Sequence, residues 1–255
     1  MGSKVISVHI PKTAGTSFRK TLEHVYGERL LSLYDDIDEG FVIPKEIDII
    51  HGHLISKDVL KLQASNPEWQ DAQLITWIRE PVSRFVSNYF YLREVISEKI
   101  KSEKALARRM IKTLDEYLAQ ERECNRMNKY FDTGLLNMGN VTFVGETEQY
   151  DQDLHLLAQK LQWREYRIFH NNKTSTKEPV DERTLEQIAL ANEKDLSWYG
   201  DMKKLASDLS RDFEAPAFEP VIVKEEKPVP VTKSVSLVSK IQYKLKHTLK
   251  KTTGK

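Results

Sequence analysis

The segment His9-Ile10-Pro11-Lys12-Thr13-Ala14-Gly15-Thr16-Ser17-Phe18 has the composition of an anion-binding turn. It follows the apolar run at 5–8 and opens a helical pattern of Phe18, Leu22 and Val25. Backbone N–H groups at the start of a helix have no partner within it, and the helix dipole favours negative charge there. The segment therefore predicts a phosphate cradle between a strand and a helix.

The position of the lysine distinguishes this turn from a Walker A loop. A Walker A loop ends in Gly-Lys-Ser/Thr after a four-residue spacer, whereas Lys12 precedes Gly15 by three residues. The ammonium is therefore expected beside the strand end, at the start of the turn, and not on the first helical turn.

A second candidate anion site follows the apolar run at 74–78, where the chain continues from Arg79 to Tyr89 as REPVSRFVSNY. Pro81 suits the first turn of a helix. Arg79, at the strand end, offers a planar fork of donors that fits phosphate oxygens. Ser87 lies about two helical turns further on, so a bend at the helix entry is needed to bring it near Arg79.

Together, the two segments resemble the donor-binding motifs of the sulfotransferases, which use 3′-phosphoadenosine 5′-phosphosulfate (PAPS). The order Pro-Lys-Thr-x-Gly-Thr-Ser-Phe is similar to the 5′-phosphosulfate loop, and the segment 79–89 is similar to the 3′-phosphate motif. The resemblance implies a P-loop-like three-layer α/β/α domain with a central, mostly parallel sheet. It also implies donor-binding roles for Lys12, Thr13, Ala14, Gly15, Thr16, Ser17, Arg79 and Ser87.

Three further segments resemble the same family, so that the likeness spans about residues 4–211. Residues 144–148 are similar to a segment of the nucleotide pocket. Residues 171–175 are similar to a late loop over the donor, which implies donor contacts from Lys173 and Thr174. The pattern Asn-x-x-Asp-x-x-x-Tyr at 192–199 is typical of a helix pair near the end of these domains.

Sulfuryl transfer needs a cation at the leaving phosphate and a base for the acceptor hydroxyl. Lys12 is the candidate cation. His51-Gly52-His53 follows an apolar strand, and alternate side chains of a strand share a face, so both imidazoles are expected in one cleft. The tripeptide resembles that of the heparan and dermatan 2-O-sulfotransferases, which implies His53 as the base, His51 as a supporting contact and a saccharide acceptor.

Other interpretations remain open. The two histidines are also compatible with a structural role at a strand end, whereas a zinc site lacks a third ligand at suitable spacing, so no metal is expected. A P-loop kinase would need the missing Gly-Lys-Ser/Thr. A catalytically silent nucleotide-binding or scaffold protein, acting through its C-terminal tail, fits the same motifs.

Composition narrows the class of partner. Residues 221–255 carry a net charge of +7, so the rest of the chain stands at −6. An acidic body argues against nucleic acid and favours a neutral or weakly charged saccharide. One cysteine, no apolar run of membrane-spanning length and no recognisable leader predict a cytoplasmic protein.

The hydrophobic pattern divides the chain into a domain at 1–215 and a Pro-rich linker with a basic tail at 216–255. Four prolines fall between 216 and 230, a density that no helix or central strand tolerates. The tail favours either an amphipathic helix on a membrane or protein partner, or a disordered segment. Within the domain, alternation predicts a parallel sheet, with strands at about 4–10, 47–51, 73–78, 141–144 and 166–169 and helices at 81–100, 104–120, 181–194 and 196–211.

Overall fold

The computed structural model describes residues 3–100, 113–137, 139–170, 178–211 and 219–223. Within these ranges five parallel strands form the main sheet, in the order β2-β3-β1-β4-β5. Their bounds are β1 (Val5–Val8), β2 (Leu30–Leu33), β3 (Ile49–Gly52), β4 (Gln73–Ile78) and β5 (Val141–Glu146). A separate two-stranded sheet pairs β6 (Glu165–Tyr166) with β7 (Val221–Ile222).

Helices connect the strands. Their bounds in the described residues are α1 (Gly15–Tyr26), α2 (Ser56–Ser65), α3 (Pro81–Ile100), α4 (Leu114–Leu118), α5 (Met127–Tyr130), α6 (Thr133–Leu136), α7 (Tyr150–Lys160), α8 (Glu182–Ala191) and α9 (Glu193–Arg211). Short 3₁₀ turns lie at Gly27–Arg29, Pro67–Trp69, Glu121–Glu123 and Thr147–Gln149. None of the helices in this part of the chain is long and apolar enough to cross a bilayer.

The strands are apolar on both faces, which requires cover on both sides. All four residues of β1 are buried, and consecutive side chains point to opposite faces. Ile6 belongs to a core cluster that includes α2 and α9, whereas Val5 belongs to a second cluster with α1 and α7. Helices thus cover both faces of the parallel sheet, and the predicted three-layer α/β/α fold is confirmed.

Two predicted elements differ from the structure. The edge strand β2 was not predicted. Its four residues, LLSL, directly follow a helix and a short turn, and no change in the hydrophobic pattern marks where the strand begins. The strand predicted at 166–169 was wrong as part of the main sheet, since only Glu165–Tyr166 is extended and it pairs with β7.

The remaining segment predictions fall partly outside the description. For the helix predicted at 104–120, residues 104–112 lie outside the described residues and Leu114–Leu118 is helical. Most of the predicted tail also lies outside them. Residues 219–223 are described, and Glu219 contacts His155 of α7 at 2.7 Å, so this short part of the predicted linker packs on the domain.

The strand register brings the chemistry-bearing segments to one edge. Val8 at the end of β1 lies beside Gly52 of β3 and Thr76 of β4. The residues that directly follow four neighbouring strands are Tyr34, His53, His9 and Arg79, in sheet order. Ligands of parallel α/β sheets bind at this carboxyl edge, so the fold collects the predicted site residues there.

Candidate active site

The turn after β1 has an unusual backbone. Lys12 and Ala14 adopt left-handed conformations, with φ of +74° and +62°, which are costly for residues with a Cβ. The buried Thr13 between them donates both its N–H and its hydroxyl to the carbonyl of Ile10, at 3.3 and 2.8 Å. The Thr13 side chain therefore shapes the turn from within.

The turn delivers the chain to the N-terminus of α1. Ala14 is the N-cap and has no side-chain acceptor, and the first turn of α1 contains no acidic residue. The first backbone N–H groups of any helix have no acceptor within it. Together with the helix dipole they form a site suited to an anion.

The N-terminus of α3 is arranged in the opposite way. The Glu80 carboxylate accepts hydrogen bonds from the backbone N–H groups of Val82 and Ser83, at 2.9 and 2.7 Å. Because its own side chain caps this helix, an anion near α3 would be held by side chains. Those available at this end are Arg79 and Ser87, which is 8% exposed.

Arg79 joins the two anion motifs. Its Nη1 donates to the carbonyl oxygen of Lys12 at 3.3 Å, which ties the end of β4 to the turn after β1. Its Nε is buried without a hydrogen-bond partner among the described residues. Such a donor costs free energy unless something accepts from it, and a phosphate oxygen has the required chemistry.

The Lys12 ammonium lies close to this arginine. Burial and, to a smaller extent, Arg79 lower the pKa of Lys12 to about 8, and Glu94 acts against them. The ammonium stands 3.9 Å from the ring centre of Tyr91 on α3. Ser87 is one helical turn before Tyr91, on the same face of α3.

The histidines form a stack with His9. The His9 ring lies 5.1 Å from that of His51 and 4.6 Å from that of His53, measured between centroids. Tyr34 contacts His53 edge to face at 4.9 Å. Sequence reasoning missed His9 and Tyr34 because their proximity depends on the order β2-β3-β1, which the sequence does not reveal.

The two histidines of the tripeptide were expected in one cleft, but they differ in exposure and do not share an open one. His51 is 1% exposed inside β3, where its Nδ1 is hydrogen-bonded to Ser7 Oγ at 2.9 Å. Burial lowers the pKa of His51 to about 3. His53 follows the strand and is exposed, so His53 alone of the two can meet an acceptor directly.

The surroundings of His53 favour its neutral form. Packing against its neighbours removes water from the ring and lowers its pKa, and Arg126 lowers it further. Arg126 is held by Glu123 at 2.8 Å and by the Tyr130 hydroxyl at 3.3 Å, and the Tyr130 ring lies 5.8 Å from that of His53. A neutral imidazole at the sheet edge is the form that accepts a proton.

The pattern at 192–199 supports this arrangement from a distance. The Asp195 carboxylate accepts from the backbone N–H groups of Met127 and Asn128, at 3.0 and 3.1 Å, and so caps α5. Asn192 Oδ1 accepts from the N–H of Asn125 at 3.0 Å. These buried contacts hold the segment at 125–130, whose Tyr130 ring lies against His53.

Two predicted donor contacts, Lys173 and Thr174, lie outside the described residues. In the part of the chain that the structure describes, no group of three or more His, Cys, Asp or Glu side chains is arranged to hold a metal ion.

We predict that Gly15→Ala disrupts the turn. A Cβ at Gly15 would lie 1.8 Å from Nε2 of His9, and the neighbouring imidazoles leave that ring little room to move. Urea unfolding should show a loss of about 1–3 kcal/mol, as for other overpacked sites. The matched control is Gly200→Ala, where no atom lies within 4 Å of the new Cβ and a helix interior gains roughly 0.5–1 kcal/mol. Equal effects of both substitutions would contradict the prediction.

We also predict that His51 makes the fold sensitive to acid. Its pKa is about 3 in the folded protein against 6.5 for an unperturbed histidine, so the unfolded chain binds an extra proton between these values. The unfolding free energy should therefore fall as the pH drops below 6.5, by up to about 1.4 kcal/mol per pH unit from this residue.

Urea unfolding of His51→Gln at several pH values isolates this contribution. The variant should show a shallower acid dependence than the wild type, whereas His170→Gln, at an exposed position, should not. An unchanged slope in His51→Gln would show that His51 is not buried in its neutral form.

Two solved structures are similar to the chain. A crystal structure of mouse sulfotransferase SULT7A1 complexed with PAP is 15% identical, with a TM-score of 0.43, and the match covers 76% of this chain and 66% of that one. A sulfotransferase from Alicyclobacillus acidocaldarius is 12% identical, with a TM-score of 0.40, over 83% of this chain and 99% of that one. No curated protein sequence matches.

The family model described as "Sulfotransferase family" matches residues 2–200. This range contains both anion motifs, the histidine stack and the helix pair that supports it. Because the match spans well over half of the chain, the protein belongs to the sulfotransferase family.

Proposed function

We propose that the protein is a PAPS-dependent O-sulfotransferase. The observation that carries the proposal is the junction at the sheet edge, where Arg79 donates to the Lys12 carbonyl in the turn that leads into the N-terminus of α1. The buried Arg79 Nε, which lacks a partner among the described residues, fits a phosphate oxygen. The expected donor carries two phosphate groups, and the two motifs offer one anion site each.

The proposed reaction moves a sulfuryl group from PAPS to an acceptor hydroxyl. The acceptor oxygen forms a bond to sulfur while the bond from sulfur to the bridging phosphate oxygen breaks. The acceptor proton goes to His53, and the electron pair of the broken bond goes to the phosphate, which leaves as adenosine 3′,5′-bisphosphate (PAP). Lys12 stabilises the charge that develops on that phosphate, and His53 acts as the general base.

The acceptor is proposed to be a saccharide or glycoconjugate. His53 is surrounded by the rings of Tyr34 and Tyr130, at 4.9 and 5.8 Å, and Tyr34 is 39% exposed. Amphipathic rings of this kind offer an apolar surface and a polar edge, which suits the faces of a sugar. Incubating labelled PAPS with a panel of saccharides, phenols and lipids tests the class, and exclusive labelling of phenols would overturn it.

A P-loop kinase is disfavoured by the turn itself. That class needs a hydroxyl after the lysine to bind magnesium. Here the residue after Lys12 is Thr13, which is fully buried and donates its hydroxyl to Ile10. The silent scaffold, in contrast, differs from the proposal only in turnover, and the predictions below separate the two.

We predict that Arg79→Ala removes the preference for a 3′-phosphate. A charge-assisted hydrogen bond contributes roughly 1.5–3 kcal/mol, so the affinity for PAP should fall about 10- to 150-fold while that for AMP changes little. Calorimetry without magnesium measures both. Arg93→Ala is the control, because Arg93 lies on α3 but contacts Glu178 and Tyr89. Wild-type protein that binds PAP no better than AMP would sink the proposal.

We predict that His53→Ala lowers kcat by about 10²- to 10⁴-fold, the usual range for a general base, with little change in PAP affinity. His170→Ala, at an exposed histidine away from the stack, serves as the control. Since the pKa of His53 is lowered, the acid limb of the wild-type pH–rate profile should lie below pH 6.5. Loss of PAP binding in His53→Ala would instead show a structural role.

A further inference from the structure

The Lys12 ammonium rests on an aromatic ring that the donor motifs do not include. Its Nζ lies 3.9 Å from the ring centre of Tyr91, well within the 6 Å at which a cation and a ring face attract each other. Other cation–ring pairs in the described residues are longer: Lys203 lies 5.6 Å from Tyr199, and Lys4 lies 5.5 Å from Trp69. The Lys12–Tyr91 pair therefore has the closest geometry of these.

The environment of Lys12 otherwise disfavours its charge. Burial and the adjacent Arg79 lower its pKa to about 8, while Glu94 on α3 raises it. Burial and the neighbouring His51 and His53 hold the pKa of His9, at the end of β1, well below its ordinary value, and Lys12 lowers it by the smallest amount. A cation that must remain charged beside another cation gains from a ring face, because the ring quadrupole attracts it without adding a fixed anion that would repel a phosphate.

The position of Tyr91 on α3 links this contact to the donor motif. Ser87, Tyr91 and Glu94 are spaced four and three residues apart, so they lie on one helix face. That face carries the proposed 3′-phosphate serine at one end and the ring under Lys12 in the middle. Tyr91 is 40% exposed, so a change there alters the contact with Lys12 without removing a core side chain.

We propose that Tyr91 is a positioning residue for Lys12. The tyrosine ring fixes the Lys12 ammonium beside Arg79 and stabilises its charged form. The contribution to sulfuryl transfer rests on the proposed function, because it requires Lys12 to stabilise the leaving phosphate. The contact itself does not, and it can be measured on the free protein.

The direct test measures the protonation of Lys12 by chemistry. Wild-type protein, Tyr91→Leu and Tyr91→Phe are labelled with acetic anhydride over a range of pH, and mass spectrometry of the Lys12 peptide gives the rate. Leucine keeps apolar bulk but has no ring, whereas phenylalanine keeps the ring and removes only the hydroxyl. The midpoint of the profile reports protonation, and its alkaline plateau reports accessibility, so the two effects are separated.

Tyr91→Leu should move the midpoint of Lys12 labelling to lower pH. At neutral pH the ratio of uncharged to charged Lys12 should rise roughly 2- to 30-fold, the range that corresponds to a cation–ring contact. Tyr91→Phe should keep the wild-type midpoint, and labelling of Lys203 should be the same in all three proteins. An unchanged midpoint in Tyr91→Leu, or an equal shift in Tyr91→Phe, would overturn the proposal.

A second measurement connects the contact to turnover. In the pH–rate profile, the alkaline limb of Tyr91→Leu should move to lower pH than that of the wild type. The alkaline limb of Tyr91→Phe should coincide with that of the wild type. A merely structural role would lower the rate without moving the limb. If wild-type protein fails to bind PAP, the proposed function fails while the labelling result stands; if it binds and turns over but the labelling midpoint is unmoved, only the role of Tyr91 fails.

Discussion

The hydrogen bond from Arg79 to the Lys12 carbonyl joins two strand ends on which the rest of the site depends. β1 and β4 are direct neighbours in the sheet, and the hydrogen bond ties the turn after β1 to the end of β4. The turn has left-handed backbone at Lys12 and Ala14, and the Thr13 contacts with Ile10 hold it. The local strain of about 1–3 kcal/mol per residue is thus offset by contacts that also aim the first turn of α1.

The charge at the carboxyl edge of the sheet differs from the net charge of the body. The body of the chain is acidic, yet Lys12, Arg79 and Arg126 all lie around the carboxyl ends of the strands. The nearby acidic groups are engaged elsewhere: Glu80 caps α3, and Glu123 holds Arg126. The net charge of the body therefore says little about the electrostatic field at this edge. The prediction of a weakly charged acceptor used only the net charge of −6, and so it took no account of the cations that lie here.

The sequence predicted those parts of the site that depend on local order. The turn at 9–18, the helix beginning at Pro81 and the alternation of strands and helices are local patterns, and the structure contains each of them. The contacts of His9 and Tyr34 could not be predicted, because they require β1 and β2 to flank β3. The burial of His51 has the same origin: an alternating pattern places His51 and His53 on one face but cannot show that the strand ends between them.

Gly52 illustrates how closely that histidine pair is bound to the sheet. A Cβ at Gly52 would lie 1.6 Å from the carbonyl oxygen of Leu33, so glycine is needed where β2 passes β3. The same close approach lets the N–H of His53 donate to that carbonyl at 3.1 Å, which fixes the residue as the chain leaves the strand. The glycine of the tripeptide thus has a packing reason, and His53 is placed by the backbone of the edge strand before any side chain contributes. Because Leu33 also leads into Tyr34, one short strand sets both the exposed histidine and the ring beside it.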